Sequence, residues 1–274
     1  MADTVAEQIA ALKDEDWAIR EEAATMLGTL RDPRAVAPLV SVLRDDDRAV
    51  REAATAALLA IGEPAVTTLG ACLSDPVLTV QELASSVLVT IADARVLAPL
   101  MAALKSPDWI VRMHAAKALG RIQDPNAVAP LVPLLQDSVK AVREETSTAL
   151  AAIGEAALSS LLTALTHTEW LVRLHAVEAL GKTRSPEAVN PLLSVLFNDR
   201  DRAVREDAIR ALGQIGDPRA VEFLVTAMNE PGLRPLAIEA LGRIGDRCAV
   251  PVLITVLEAV DRPEFSRPID GCGE

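Results

Sequence analysis

Apolar residues recur along the chain at helical spacing, in short stripes that polar turns separate. Within residues 32–62, the first stripe consists of Val36, Leu39, Val40 and Leu43. After the acidic turn 45–47, the second stripe consists of Val50, Ala54, Ala57, Leu58 and Ile61. Positions three and four residues apart lie on one face of an α-helix, so this segment is predicted to form two helices with one apolar face each.

The two-helix unit repeats at intervals of about 31 residues. Its opening phrase, Asp-Pro-Arg-Ala-Val, occurs at 32–36 and 217–221, with a close copy at 124–128. A second phrase, Val followed by Arg, comes about 18 residues later, as at Val50 and Arg51. The predicted repeats are 3–31, 32–62, 63–92, 93–123, 124–154, 155–184, 185–216 and 217–245, with a half repeat from Asp246.

Neither helix of a repeat can bury its stripe alone, whereas stacked repeats share one continuous core. We therefore predict an all-α fold, a right-handed α-solenoid of about eight two-helix repeats plus a C-terminal half repeat. The solenoid is predicted to occupy residues 1–260. A non-helical tail, 261–274, is predicted from Pro263, Pro268, Gly271 and Gly273.

The helix ends carry recognisable capping residues. Asp-Pro is predicted to open the first helix of a repeat, with Asp as the cap and Pro in the first turn. Gly62 is predicted to end a second helix in the left-handed conformation. In the first repeat, Thr4 and Glu7 fit a capping box.

Composition and charge restrict the class of partner. The 274 residues include three Trp, three Phe and no Tyr, which suits thin helix layers better than one large core. The net charge of −12, without any cluster of Lys and Arg, argues against nucleic acid and anionic membranes as partners. Three scattered cysteines, no signal peptide and no long uncharged run predict a soluble, cytoplasmic protein. Cys72 is expected in the core, and Cys272 is expected to be the only exposed cysteine.

The repeated phrases resemble the HEAT-like repeats named after phycobilisome lyases, over residues 3 to 260. The resemblance implies a solenoid that binds other proteins on the concave face formed by its second helices. Some members of this broad family are bilin lyase subunits, which attach phycobilins to cysteines of a partner. A HEAT-like relative, deoxyhypusine hydroxylase, holds two irons with His-Glu pairs at the start of its second helices.

Two repeats interrupt an otherwise acidic row on the second helices. The relevant position lies two residues after the Val of the second phrase, where the side chain points away from the core stripe. Five of seven repeats have Glu at this position. The exceptions are Met113 and Leu174, whose repeats also have Trp at the helix start and His one residue further on. Exposed Trp and Met are typical of interaction hot spots. The predicted partner-binding residues are Trp109, Ile110, Met113, His114, Trp170, Leu174 and His175.

The alternative interpretation is that each Trp folds over the turn and plugs the repeat junction. Trp17, followed by Glu21 and Glu22, shows that Trp can occupy this position without an apolar neighbour. The Arg of the second phrase also has two interpretations, an anion-binding row or a ladder that ties acidic turns together. The ladder is favoured because it satisfies the polar groups at helix ends.

No metal, cofactor or catalytic centre is predicted. His114 and His175 lie two repeats apart, roughly 20 Å, whereas a metal needs its ligand atoms about 2 Å away. The Asp runs at 45–47 and 199–201 are interpreted as caps, and no nucleophile elbow, phosphate loop or HExxH motif occurs.

The predicted function is a scaffold, not an enzyme, that binds a protein or peptide. The partner is predicted to be basic or polar around an apolar anchor. Two alternatives are a bilin lyase-like subunit that handles a tetrapyrrole and an iron-dependent oxygenase.

Overall fold

The computed structural model describes residues 3–73, 75–91 and 94–260, and all regular secondary structure in these ranges is helical. The predicted all-α solenoid is confirmed. The contacts divide the chain into two compact units, Met1–Leu131 and Val132–Glu274. The predicted single domain over 1–260 stays a prediction, and the predicted tail 261–274 lies outside the described residues.

In the first unit, helical hairpins follow one another along the chain. The first helices of the repeats are α1 (Thr4–Ala11), α3 (Val36–Val42), α5 (Val66–Cys72), α7 (Ala94–Ala103) and α9 (Val128–Leu131). The second helices are α2 (Trp17–Leu30), α4 (Arg48–Ile61), α6 (Leu78–Ile91) and α8 (Trp109–Ile122). Second helices pack on second helices, α2 on α4, α4 on α6 and α6 on α8.

The second unit has the same organisation. It begins with a 3-10 segment, Val132–Gln136, which packs against the next second helix. The second helices are α10 (Lys140–Ile153), α12 (Trp170–Thr183), α14 (Arg202–Ile215) and α16 (Arg234–Ile244). The first helices are α11 (Glu155–Ala164), α13 (Val189–Asn198), α15 (Val221–Ala227) and α17 (Val250–Val260). The second helices α10, α12, α14 and α16 pack side by side in that order.

The predicted apolar stripes form the core. All nine stripe residues named for residues 32–62 are buried, from Val36 to Ile61. Cys72 is also buried, as predicted, and burial raises the pKa of its thiol. The expectation that Cys272 is the only exposed cysteine is wrong, because Cys248 is exposed in the 3-10 turn Arg247–Ala249.

Two helix ends of the second repeat differ in detail from the prediction. Asp32 does cap, accepting the Arg34 N–H at 2.9 Å, but the segment it opens, Pro33–Ala35, is a 3-10 turn that precedes α3. Gly62 has a positive φ of 74°, but its ψ of −129° lies outside the left-handed helical region.

The predicted capping box in the first repeat is wrong. Thr4 is already helical, and the N-cap residue is Asp3, whose side chain makes no capping hydrogen bond. The Asp3 carboxylate accepts from Arg34 Nη1 at 2.6 Å, which ties the start of α1 to the second repeat.

Close approach of neighbouring second helices depends on glycine. A methyl group added to Gly213 of α14 would lie 2.9 Å from the Ala240 Cα of α16. The equivalent glycine of α16, Gly242, has no heavy atom of the described residues within 4 Å of such a methyl group.

We therefore expect opposite effects from one substitution at these two sites. Gly213→Ala should lower the free energy of unfolding by about 1–3 kcal/mol because it overpacks the α14–α16 contact. Gly242→Ala should raise it by up to about 1 kcal/mol through helix propensity. Denaturant unfolding of both variants checks this, and equal effects at the two sites would contradict the packing argument.

Candidate functional site

Several second helices begin with Trp, and several others begin with a basic residue. Arg48, Lys140 and Arg202 begin α4, α10 and α14. Each forms an ion pair with the Glu four residues later, at 2.7 Å for Arg48–Glu52, 3.3 Å for Lys140–Glu144 and 2.7 Å for Arg202–Glu206. Residues four apart are neighbours on a helix surface. The predicted row of Glu residues is therefore locally neutralised in these three repeats.

In the repeats with Trp109 and Trp170, an apolar pair replaces this ion pair. Trp109 stands one turn before Met113, and Trp170 stands one turn before Leu174. The indoles are partly exposed, 40% for Trp109 and 42% for Trp170, and Met113 and Leu174 are half-buried. On α12 this hydrophobic step lies where the adjacent helices α10 and α14 present charge.

In the second unit, the apolar step lies between two ion pairs. We call the residues Lys140, Glu144, Trp170, Leu174, Arg202 and Glu206 the Trp170 surface. They occupy equivalent positions on the adjacent helices α10, α12 and α14. Leu171, half-buried beside Trp170, was missed by the sequence analysis although it occupies the position of Ile110.

In the first unit, the corresponding surface is more apolar than predicted. Ile110 is half-buried beside Trp109, and the neighbouring helix α6 begins with Leu78. Leu78 is exposed, and so is Val77 in the turn before it. Neither residue was among the predicted partner-binding residues, because that prediction depended on the fifth position of α6, where Glu82 stands. We call Val77, Leu78, Trp109, Ile110 and Met113 the Trp109 surface.

The two predicted histidines lie beneath these surfaces. His114 and His175 are each 5% exposed. His175 Nε2 accepts from Arg143 Nε at 3.1 Å, and His175 Nδ1 lies 2.9 Å from Glu178 Oε2. Because arginine can only donate, His175 Nε2 is the acceptor in this bond, and Nδ1–H is left to donate to Glu178.

A chain of hydrogen bonds continues from His175 and joins α10 to α12. Lys182 Nζ donates to Glu178 Oε1 at 2.7 Å and to Thr148 Oγ1 at 2.8 Å. Burial acts to raise the pKa of Glu178, but the hydrogen bonds from His175 and Lys182 outweigh it and lower this pKa. The floor of the Trp170 surface is therefore fixed by bonds between helices.

His114 has a different neighbour. In the repeat before that of His114, Gln81 occupies the position that Arg143 occupies in the repeat before that of His175. Gln81 Nε2 donates to the Asp75 carbonyl at 2.6 Å. Within the described part of the chain, Gln81 Oε1 and His114 Nε2 are buried without a hydrogen-bond partner. Burial lowers the pKa of His114, which favours the neutral form of this ring.

The regular spacing of the Arg residues along the chain gives them a repeated pattern of hydrogen bonds. In five repeats, Arg Nη1 donates to the carbonyls six and five residues earlier; these residues are Arg20, Arg51, Arg112, Arg143 and Arg173. Arg20 and Arg173 also bind an acidic residue of the next repeat, Asp45 at 2.7 Å and Asp199 at 2.6 Å. The predicted ladder between successive repeats is confirmed for these two residues.

The acidic turns serve as helix caps. Asp47 accepts the Ala49 N–H at 2.8 Å, and Asp201 accepts the Ala203 N–H at 2.9 Å. Among the described residues, no three His, Cys, Asp or Glu side chains are grouped to hold a metal. In the same ranges, no single helix is long and apolar enough to cross a bilayer, and the pair Arg48–Ile61 and Glu63–Cys72 reaches that length only with a bend of 114°.

The family is shown by overlapping matches along the chain. The model for HEAT repeats matches residues 5–88, 67–151, 97–169, 129–196, 157–235 and 189–264. The chain belongs to the HEAT repeat family. The predicted resemblance to HEAT-like repeats of phycobilisome lyases is confirmed as well, with a local match to the bilin biosynthesis protein PecE of Mastigocladus laminosus. That match is 39% identical over 64 residues, 23% of this chain and 24% of PecE.

Solved structures of larger solenoids share the fold. The karyopherin Kap121p, bound to the extreme C-terminus of the protein phosphatase Cdc14p, superposes with a TM-score of 0.64 at 15% identity. The match covers 97% of this chain and 36% of Kap121p. Kap95p in complex with RanGDP gives a TM-score of 0.58 at 16% identity, covering 94% of this chain and 42% of that one. These similarities support the fold alone.

Proposed function

We propose that this HEAT-repeat chain is a scaffold that holds a protein or peptide partner on its second helices. The observation that carries the proposal is the pair of partly exposed indoles, Trp109 and Trp170, each beside an apolar residue one turn later. The repeats on both sides of Trp170 have an ion pair at that place. Large aromatic side chains that lose their remaining exposure on binding are the usual energetic centres of an interface.

The supporting layer suits a preformed binding surface. The hydrogen bonds from Arg143 through His175, Glu178 and Lys182 to Thr148 fix α10 against α12 below Trp170. A rigid surface loses less conformational entropy when a partner binds. We assign direct contact to Trp109, Ile110, Met113, Trp170 and Leu174, and a supporting role to His114 and His175.

The charge of the surroundings favours a polar partner. The expectation of a basic partner came from the row of Glu residues. Three of these Glu residues form an ion pair with a basic side chain one turn earlier in the helix. Exposed pairs of this kind are weak and can be shared with a ligand.

Capture from a lysate of the native source tests the proposal. The bait carrying Trp109→Ala and Trp170→Ala should lose partners that the unmodified chain retains. Trp17→Ala is the matched control, since Trp17 is also the first residue of a second helix and is 48% exposed, but is followed one turn later by Glu21. Equal capture by all three baits would reject both surfaces as binding sites.

One observation favours a second candidate function, the handling of a tetrapyrrole. It is the local 39% identity to the bilin biosynthesis protein PecE. Incubation of the purified chain with bilin decides the matter, because a bound or attached tetrapyrrole shifts the visible absorbance spectrum. An unshifted spectrum would dismiss this candidate and leave the scaffold function untouched.

A further inference from the structure

Three equivalent residues cross the Trp170 surface in a row. Lys140, Trp170 and Arg202 are the first residues of the adjacent helices α10, α12 and α14. The side chains of Lys140 and Arg202 are 75% and 64% exposed, whereas their partners Glu144 and Glu206 are 49% and 24% exposed. The outermost charges on both sides of the indole are therefore positive.

The spacing expected for equivalent residues on adjacent packed helices matches one backbone conformation. Packed helices lie about 8–10 Å apart. A polyproline II peptide rises about 3.1 Å per residue and returns to the same face every three residues, a repeat of roughly 9.3 Å. A β-strand covers a similar distance in three residues, but it turns the third side chain to the opposite face. Helix faces also offer no unpaired backbone groups for strand addition, whereas the polyproline II backbone needs none.

We propose that the Trp170 surface binds a polyproline II peptide with one bulky apolar residue flanked, three residues away on each side, by carboxylates. The apolar residue packs on Trp170, and the two carboxylates pair with Lys140 and Arg202. This inference rests on the proposed scaffold function and specifies the partner of that site. It keeps the predicted apolar anchor, but it replaces the basic or polar surroundings expected from the Glu row with acidic ones.

Other charges near the row act in both directions. Glu169, the exposed residue before Trp170, brings a negative charge to the turn. Arg200 Nη2 donates to the neighbouring Thr168 carbonyl at 2.7 Å, which places a guanidinium beside that turn. The overall charge of −12 repels acidic ligands at long range, but at physiological salt this field is screened beyond about 8 Å.

Three synthetic peptides test the proposal, with Pro-rich spacers, a central Leu and either Glu, Gln or Lys three residues away on each side. Titration calorimetry with the full chain should rank them Glu, Gln, Lys in decreasing affinity. The Glu peptide should exceed the Lys peptide on the order of tenfold, since two weak ion pairs become two repulsions. Trp170→Ala should abolish binding of all three peptides.

Charge reversal on the protein supplies the decisive control. Lys140→Glu with Arg202→Glu should invert the ranking, and Arg48→Glu, at the equivalent position of α4, should leave it unchanged. Equal binding of the three peptides that depends on Trp170 would overturn this inference while leaving the scaffold function standing. The same conclusion would follow if the unmodified chain bound the Lys peptide most tightly. It would also follow if no peptide bound although capture of a partner from the lysate depended on Trp170. Peptide binding insensitive to Trp170→Ala would overturn the inference and remove Trp170 from the proposed function.

Discussion

Replacing Arg173 with methionine is expected to lower the free energy of unfolding by about 3 kcal/mol, because it leaves the buried Asp199 without its partner. Arg173 Nε and Nη2 donate to the two Asp199 carboxylate oxygens at 2.6 and 2.9 Å. Both side chains are almost completely buried. Arg173 Nη1 also donates to the carbonyls of His167 and Thr168, so the variant loses bonds to two consecutive repeats.

The size of this loss should depend on pH. Burial acts to raise the pKa of Asp199, but the hydrogen bonds from Arg173 and from the Asp201 N–H outweigh it and lower this pKa. A lowered carboxyl pKa in the folded state contributes stability above the unfolded pKa, near pH 4, and the contribution disappears as pH falls. The difference between the unmodified chain and Arg173→Met should therefore be largest at neutral pH and narrow below about pH 4.

Urea unfolding at pH 7 and at low pH measures both effects. Arg48→Met is the matched control, because Arg48 also forms an ion pair, with Glu52, but both side chains are mostly exposed. Exposed pairs contribute little, so this variant should unfold almost like the unmodified chain. Equal losses from the two substitutions, or a difference that does not change with pH, would contradict the role assigned to Arg173.

The periodic part of the fold could be predicted from the sequence alone. Stripe residues such as Leu39 and Leu58 recur at fixed spacing, and spacing determines which face of a helix is buried. The ladder was predictable for the same reason, since an Arg at one position in most repeats must have a repeated partner. The 3-10 turn Pro33–Ala35 was not predictable, because the phrase Asp-Pro is compatible with both helix types.

The candidate site was only partly predictable. The apolar steps at Trp109 and Trp170 were identified from their repeats, but the burial of His114 and His175 depends on side chains of neighbouring helices. The partner of His175 is Arg143, 32 residues earlier, and no local pattern indicates such a bond. By contrast, the ion pair of Lys140 with Glu144 was readable from the spacing of four residues. Considering that spacing would have corrected the expectation of an acidic face.

The double substitution Trp109→Ala, Trp170→Ala is expected to weaken binding of a captured partner by more than about 2 kcal/mol, as for aromatic anchors at other interfaces. The cost to stability should be smaller per residue than the roughly 3–5 kcal/mol of a fully buried Trp, because about two-fifths of each indole is exposed. Titration of the purified partner gives the affinities, and urea unfolding of the same samples gives the stabilities. Trp17→Ala should share the stability cost, since its exposure is similar, but keep the affinity. Retained affinity in the double variant, together with a large loss of stability, would identify the indoles as plugs of the repeat junctions.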